Sequence, residues 1–98
     1  MIKWSKRAKL RLRQCTRYIA TESQDWFTAW NWEDRVLEAA DHLGVFPLSG
    51  LVVRELHRAD IRQTLVGDYR VIYRVKRNTP EILSVRHTRF LIKSMRSL

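Results

Sequence analysis

Five arginines and one histidine in the C-terminal half of this 98-residue chain have types and positions suited to an anion: Arg54, Arg62, Arg70, Arg86, Arg89 and His87. A guanidinium presents a planar fork that bonds two oxygens of a phosphate or carboxylate at once. An imidazole, with an unperturbed pKa of ~6.5, exchanges its proton near neutral pH and suits general acid or base work. His87 equally reads as a structural imidazole that ties a strand end to a loop. His42 and His57 have no cluster to join. A lone Cys15 cannot build an internal disulfide or a multi-cysteine metal site, so neither metal nor other cofactor is expected. The chain has no glycine-rich phosphate loop, no Ser/His/Asp set and no paired carboxylates. An activity housed here must work mostly by clamping negative charge with cations.

The elements that would position these groups follow from periodicity. In Tyr69–Lys76, YRVIYRVK, residues alternate with a period of two: Tyr69, Val71, Tyr73 and Val75 on one side, Arg70, Ile72, Arg74 and Lys76 on the other. That is a strand with one buried face, and its second face carries three cations around one isoleucine. Further strands are expected at Val52–His57, Ile61–Val66 and Glu81–Arg86. Gly67-Asp68 reads as a type II′ hairpin turn, and Asn78-Thr79-Pro80 closes the next hairpin. Because same-face residues on neighbouring strands approach within about 5 Å, Arg54, Arg62, Arg70 and Arg86 are expected to converge on an open face. Arg89 stands just past the last strand. Solvated, unrelated arginines are the plainer alternative.

Before the strands, Ile2-Lys3-Trp4 is a short extended segment and Ser5 an N-cap. Ala8, Leu12, Cys15 and Ile19 form the apolar stripe of a helix from Ser5 to about Thr21, with Lys6, Lys9, Arg13 and Arg17 opposite. A second helix is expected over Ser23–Leu43, with Gly44 as its stop. Ala29, Trp30, Val36, Leu37, Ala40 and Leu43 form its core face. At most five residues join the two patterns, so they predict an antiparallel helical hairpin. Trp26, Trp30 and Val36 read as core, whereas Leu10, Phe27 and Trp32 read as exposed and mark a partner groove. Thr88 caps a last short helix at Arg89–Met95. The order β-αα-ββββ-α predicts an α+β fold: a helical hairpin on one face of a twisted, mainly antiparallel sheet of four to five strands, in one domain spanning 1–98.

Lys+Arg number 19 against 10 Asp+Glu, a net charge of +9. So short and basic a chain implies a polyanionic partner. The first residues lack the apolar core of a secretion signal and no stretch reaches the ~18 apolar residues of a membrane span, so a cytoplasmic location without a membrane partner is expected.

Four segments resemble the RelE/ParE superfamily of type II toxin–antitoxin toxins, the plasmid-stabilisation proteins. They are WSKRAKLRLRQCTRYI, AADHLGVFPLSG, VREL with IRQTLVGDYRVIYRV, and EILSVRHTRF, and they run in the family's order across nearly the whole chain. The resemblance implies a small toxin neutralised by a cognate antitoxin whose acidic C-terminal segment folds over it, giving a hetero-oligomer. Leu10, Phe27, Trp30 and Trp32 are then the antitoxin-binding residues. The long aromatic hairpin and the VRHTRF ending look more ParE-like, which implies a binding inhibitor of DNA gyrase. The alternative is a RelE-like ribosome-dependent mRNA interferase, in which Arg70, His87 and Arg89 would be catalytic. Arg70 matches that group's G-Y-R arginine, but Ser94 stands where its C-terminal tyrosine would, and Arg54 and His57 replace its lysine pair. A second alternative is a basic nucleic-acid-binding module without toxicity.

Overall fold

A computed structural model describes residues 2–98. After the strand β1 (Lys3–Trp4), Ser5 caps helix α1 (Lys6–Ser23): its side chain accepts the Ala8 N–H at 3.0 Å. Alanine, leucine, lysine and arginine, all strong helix formers, fill most of α1. Gln24 ends it in the left-handed conformation, φ 55°, and Asp25 at once caps helix α2 (Trp26–Val45) by accepting the Phe27 N–H at 3.0 Å. This two-residue link fixes the helices antiparallel, and Thr16 Oγ1 bridges them to Glu33 at 3.1 Å.

Helix α2 runs two residues past the expected Leu43, with Gly44 inside its last turn. The stop comes from Phe46, which leaves helical geometry because Pro47 follows it. The buried stripe of α2 is also rotated from the expected one. Ala29, Trp32, Val36, Ala40 and Leu43 are buried, while Trp30 and Leu37 face outward.

Five strands follow the order β1-β5-β4-β3-β2, with β2 (Leu51–Val52), β3 (Ile61–Val66), β4 (Tyr69–Lys76) and β5 (Thr79–His87) antiparallel and β1 parallel to β5. Of the strand expected at Val52–His57 only Val52 pairs, together with Leu51 before it, because the chain turns into a three-ten turn at Arg54–Leu56 and leaves it at His57 with φ 51°. Gly67 has φ 61° and Asp68 does not, as a type II′ turn requires. The next hairpin turns one residue earlier than expected, at Arg77 and Asn78, both with positive φ. Thr79 and Pro80 already pair with Lys76 and Val75.

The helices cover one face of the sheet. Tyr69, Val71, Tyr73, Ile82 and Val85 meet Ala8, Leu12, Trp32, Val36, Ala40 and Leu43 there. Ile82 and Val85 share that face, although three positions apart, because a register shift in β5 places Ile82 opposite Tyr73 and Ser84 opposite Ile72. The other face is not open. Val53, Ile61, Ile72, Ile92 and Leu98 form a second apolar core there, flanked by Leu56, Leu83, Phe90 and Met95. The expected helix at Arg89–Met95 is instead a loop ending in a three-ten turn, Met95–Ser97. Its apolar residues lie across the sheet. An isoleucine among cations was the sign of this second layer.

Candidate functional site

The arginines expected on one open face are divided. Register sets Arg70 directly opposite Arg86 on the far face, whereas Arg62 lies opposite Tyr73 and shares the helix-covered face. Arg54 is exposed in the three-ten turn. Arg62 donates to the Gly50 carbonyl at 2.9 Å and the Leu48 carbonyl at 3.4 Å, holding the loop before β2.

Arg70 is buried and neutralised. Its Nη2 donates to Glu55 Oε2 at 2.9 Å and to the Phe90 carbonyl at 2.6 Å, and its Nη1 reaches Gln63 Oε1 at 3.1 Å. This one guanidinium binds the three-ten turn, the sheet and the C-terminal segment together. In return its hydrogen bond holds the Glu55 carboxyl below the usual carboxylate range. Arg86 stacks on Phe90 at 3.9 Å from the ring centre and donates to the Ser97 carbonyl at 2.8 Å. Burial first, then the neighbouring Arg11 and Arg7, lowers its affinity for the proton.

Arg70, His87 and Arg89 do not surround one point. His87 pairs with Tyr69, on the face opposite Arg70, and its ring meets the Tyr69 ring edge-on at 5.2 Å. The Arg89 backbone N–H donates to His87 Nδ1 at 3.0 Å. A neutral His87 therefore carries its proton on Nε2, so it presents a donor and has no free lone pair for a base. This imidazole fastens the end of β5 to the following loop. Gln14, Cys15, Tyr18, Tyr69, His87 and Arg89 line a groove of about 410 Å³ beside it. Burial pushes the Cys15 thiol up to about 11 and the Tyr69 hydroxyl up to about 12, so both stay protonated at neutral pH.

The aromatic residues sort differently from expectation. Trp32 is buried at 6% exposure and its Nε1 donates to the Val66 carbonyl at 3.2 Å, so it joins α2 to the sheet and is not surface. Trp26 and Trp30, read as core, are half exposed, and Phe27 is 72% exposed. Their spacing explains the exchange. Positions 26, 30 and 37 follow one another around the solvent side of α2, while 29, 32, 36 and 40 face the sheet. The rings of Trp26 and Phe27 each stand 5.8 Å from that of Trp30. Trp26, Trp30, Arg13, Arg17, Thr16 and Glu33 line a shallow recess of about 190 Å³ across both helices. Leu10 is exposed too, but it lies about 20 Å along α1 from the hairpin turn, at 1.5 Å per residue, and does not join this cluster. A second exposed apolar run, Val45, Phe46, Leu48 and Leu51, sits at the other end of α2. Sequence patterning did not single it out. Among the described residues no helix is long and apolar enough to cross a membrane.

A helical hairpin on one face of a sheet, a C-terminal segment across the other, and uncovered aromatic rings at the hairpin tip define a small basic α+β protein. The family model for the ParE toxin of the type II toxin–antitoxin system, parDE, matches residues 2–91, and the chain belongs to that family. Among solved structures it is similar to the chromosomal ParDE toxin–antitoxin system from P. aeruginosa, with a TM-score of 0.70 and 16% identity. That match covers 88% of this chain and 92% of the other, and at such identity it speaks for the fold. No curated protein matches the chain.

Proposed function

We propose that this ParE-family chain arrests growth by binding DNA gyrase, and that a cognate antitoxin neutralises it by laying an acidic, apolar-anchored segment on the helical hairpin. Support for a binding inhibitor over an mRNA interferase comes from one observation: Arg70 and His87 lie on opposite faces of the sheet, and Arg70 is already bonded to Glu55 and Phe90. A nuclease centre needs its cation and its acid or base around one scissile phosphate. Support for the antitoxin surface is the cluster of Trp26, Phe27 and Trp30 with Arg13 and Arg17 beside it. Aromatic anchors flanked by cations suit an acidic segment that orders on contact.

The deciding measurement pairs two assays on the purified chain. Inhibition of gyrase supercoiling with cellular mRNA left intact is the expected result. Codon-phased mRNA cuts in primer extension, lost in His87→Ala, would overturn it in favour of the RelE-like reading.

A further inference from the structure

We propose that the open end of the β4–β5 hairpin is a phosphate-binding surface that takes the backbone of duplex DNA, a site independent of the gyrase reading. Beyond the second apolar core, β4 carries Arg74 and Lys76 on the far face, where cross-strand pairing sets them against Glu81 and Thr79. Parallel pairing brings Lys3 of β1 beside Glu81. Arg77 and Asn78, both with positive φ, then swing the chain round the hairpin tip. Lys3, Arg74, Lys76 and Arg77 thus border a recess of about 390 Å³ walled by Thr79, Pro80 and Glu81.

The charges there do not balance. Glu81 is the recess's own carboxylate and is shared, 3.3 Å from Arg74 and 3.9 Å from Lys3. Asp60 feels the Arg74 charge from outside the recess, but Arg58 holds it at 2.7 Å. Among the described residues, neither Lys76 nor Arg77 has a carboxylate within ion-pair distance. Both side chains are exposed. The uncompensated cations therefore stand at one projecting turn.

The neighbourhood decides the class of ligand. Protein segments bind through buried apolar anchors ringed by polar groups. None of the large exposed apolar residues among the described residues lines this recess; three aromatic ones cluster at Trp26, Phe27 and Trp30. The recess offers four cations, the shared Glu81 and a Thr-Pro wall. A phosphodiester backbone is held by charge and spacing with no apolar anchor.

The test is fluorescence anisotropy with a labelled duplex of about 20 base pairs, titrated with the purified chain between about 50 and 200 mM salt. Lys76→Gln/Arg77→Gln is compared with Lys9→Gln/Lys93→Gln, which removes the same charge elsewhere on the surface. At about 0.9 per phosphate contact, losing two contacts lowers the log–log salt slope by about 1.8, which referred to about 1 M salt is roughly a 60-fold fall in affinity at about 100 mM. The control pair should change affinity by about threefold or less. Equal loss in both pairs, or none in the first, overturns the proposal. So does displacement of DNA by oligoglutamate at matched charge, which would indicate an acidic protein partner. Lys3→Gln provides the same reading outside the hairpin turn should the double variant fail to fold. Supercoiling inhibition that persists in Lys76→Gln/Arg77→Gln while its DNA binding is lost keeps both the site and the gyrase reading. Absence of inhibition, with hairpin-dependent DNA binding intact, removes the gyrase reading and keeps the site.

Discussion

Arg70 and Glu55 illustrate how one residue changes meaning between sequence and structure. On the chain, Arg70 is a strand arginine beside other cations. In the fold its side chain is 7% exposed, and its charge is met by Glu55 at 2.9 Å. Substituting Arg70 with Ala, harmless on an open face, is therefore expected to destabilise the fold, because Glu55, Gln63 and the Phe90 carbonyl all lose their donor. Glu55→Gln removes the charge and replaces one of the two acceptor oxygens facing Arg70 with an N–H donor, and should cost about 1–3 kcal/mol in denaturant unfolding. The pH dependence has a definite sign. The folded Glu55 carboxyl titrates below its unfolded value, so the pair's contribution is full above about pH 4.5 and is lost as pH falls through the folded value. Melting curves of Glu55→Gln should be flatter with acid than those of the parent; an identical acid limb would show that the pair contributes nothing. Gly50 is a second single-residue constraint. A Cβ there would stand 2.5 Å from Tyr73 Oη and 2.7 Å from the Gln63 carbonyl. The Tyr73 hydroxyl accepts the Gly50 N–H and donates to the Pro47 carbonyl, so nothing at this junction can give way. Gly50→Ala should cost about 1–3 kcal/mol, read as a lower thermal midpoint.

Among the elements, α2 has two working faces and the tryptophans divide between them. Trp32 faces the sheet and meets the Tyr69 ring at 4.8 Å. Trp32→Ala empties a core position and should cost about 3–5 kcal/mol. Trp30→Ala, two positions away but on the solvent side, should stay within about 0.5 kcal/mol. Equal losses would mean that the hairpin tip is structural and not a docking surface. The far face of the sheet is similarly partitioned by its neighbours. The Arg70–Arg86 end lies under the C-terminal segment, Ile72 lies in the second core, and only the Arg74–Lys76 end stays in solvent.

Across the whole molecule, 40 Å in its longest dimension, the exposed features are far apart. Helix α2 has 20 residues, so at 1.5 Å each about 30 Å separates the Trp26 end from the Val45 end. A neutralising segment anchored at the tip need not reach the basic hairpin. Phe27→Ser with Trp30→Ser should weaken antitoxin binding about 100-fold or more by calorimetry and leave the melting midpoint in place, because hot-spot aromatics contribute about 2 kcal/mol or more each. Trp32 does not belong in that test, since its loss would lower the melting midpoint through the core.

Local chemistry in the sequence was enough to determine the two helices, the three long strands and their order: the Ser5 cap, the helical stripes, the period-two strands and the Gly67 turn all act within a few residues. The +9 charge and the family motifs are also properties of the chain alone. Which face each residue meets was decided only by tertiary packing. Periodicity says that Arg70, Ile72 and Arg74 share a side, but it cannot say that Phe90, Ile92 and Leu98 return from the end of the chain to cover part of it. Nor can a helix with apolar residues all round declare which stripe is buried until a sheet is laid against one of them. Long-range contacts made that choice, and with it fixed which arginines are structural and which remain free to meet a partner.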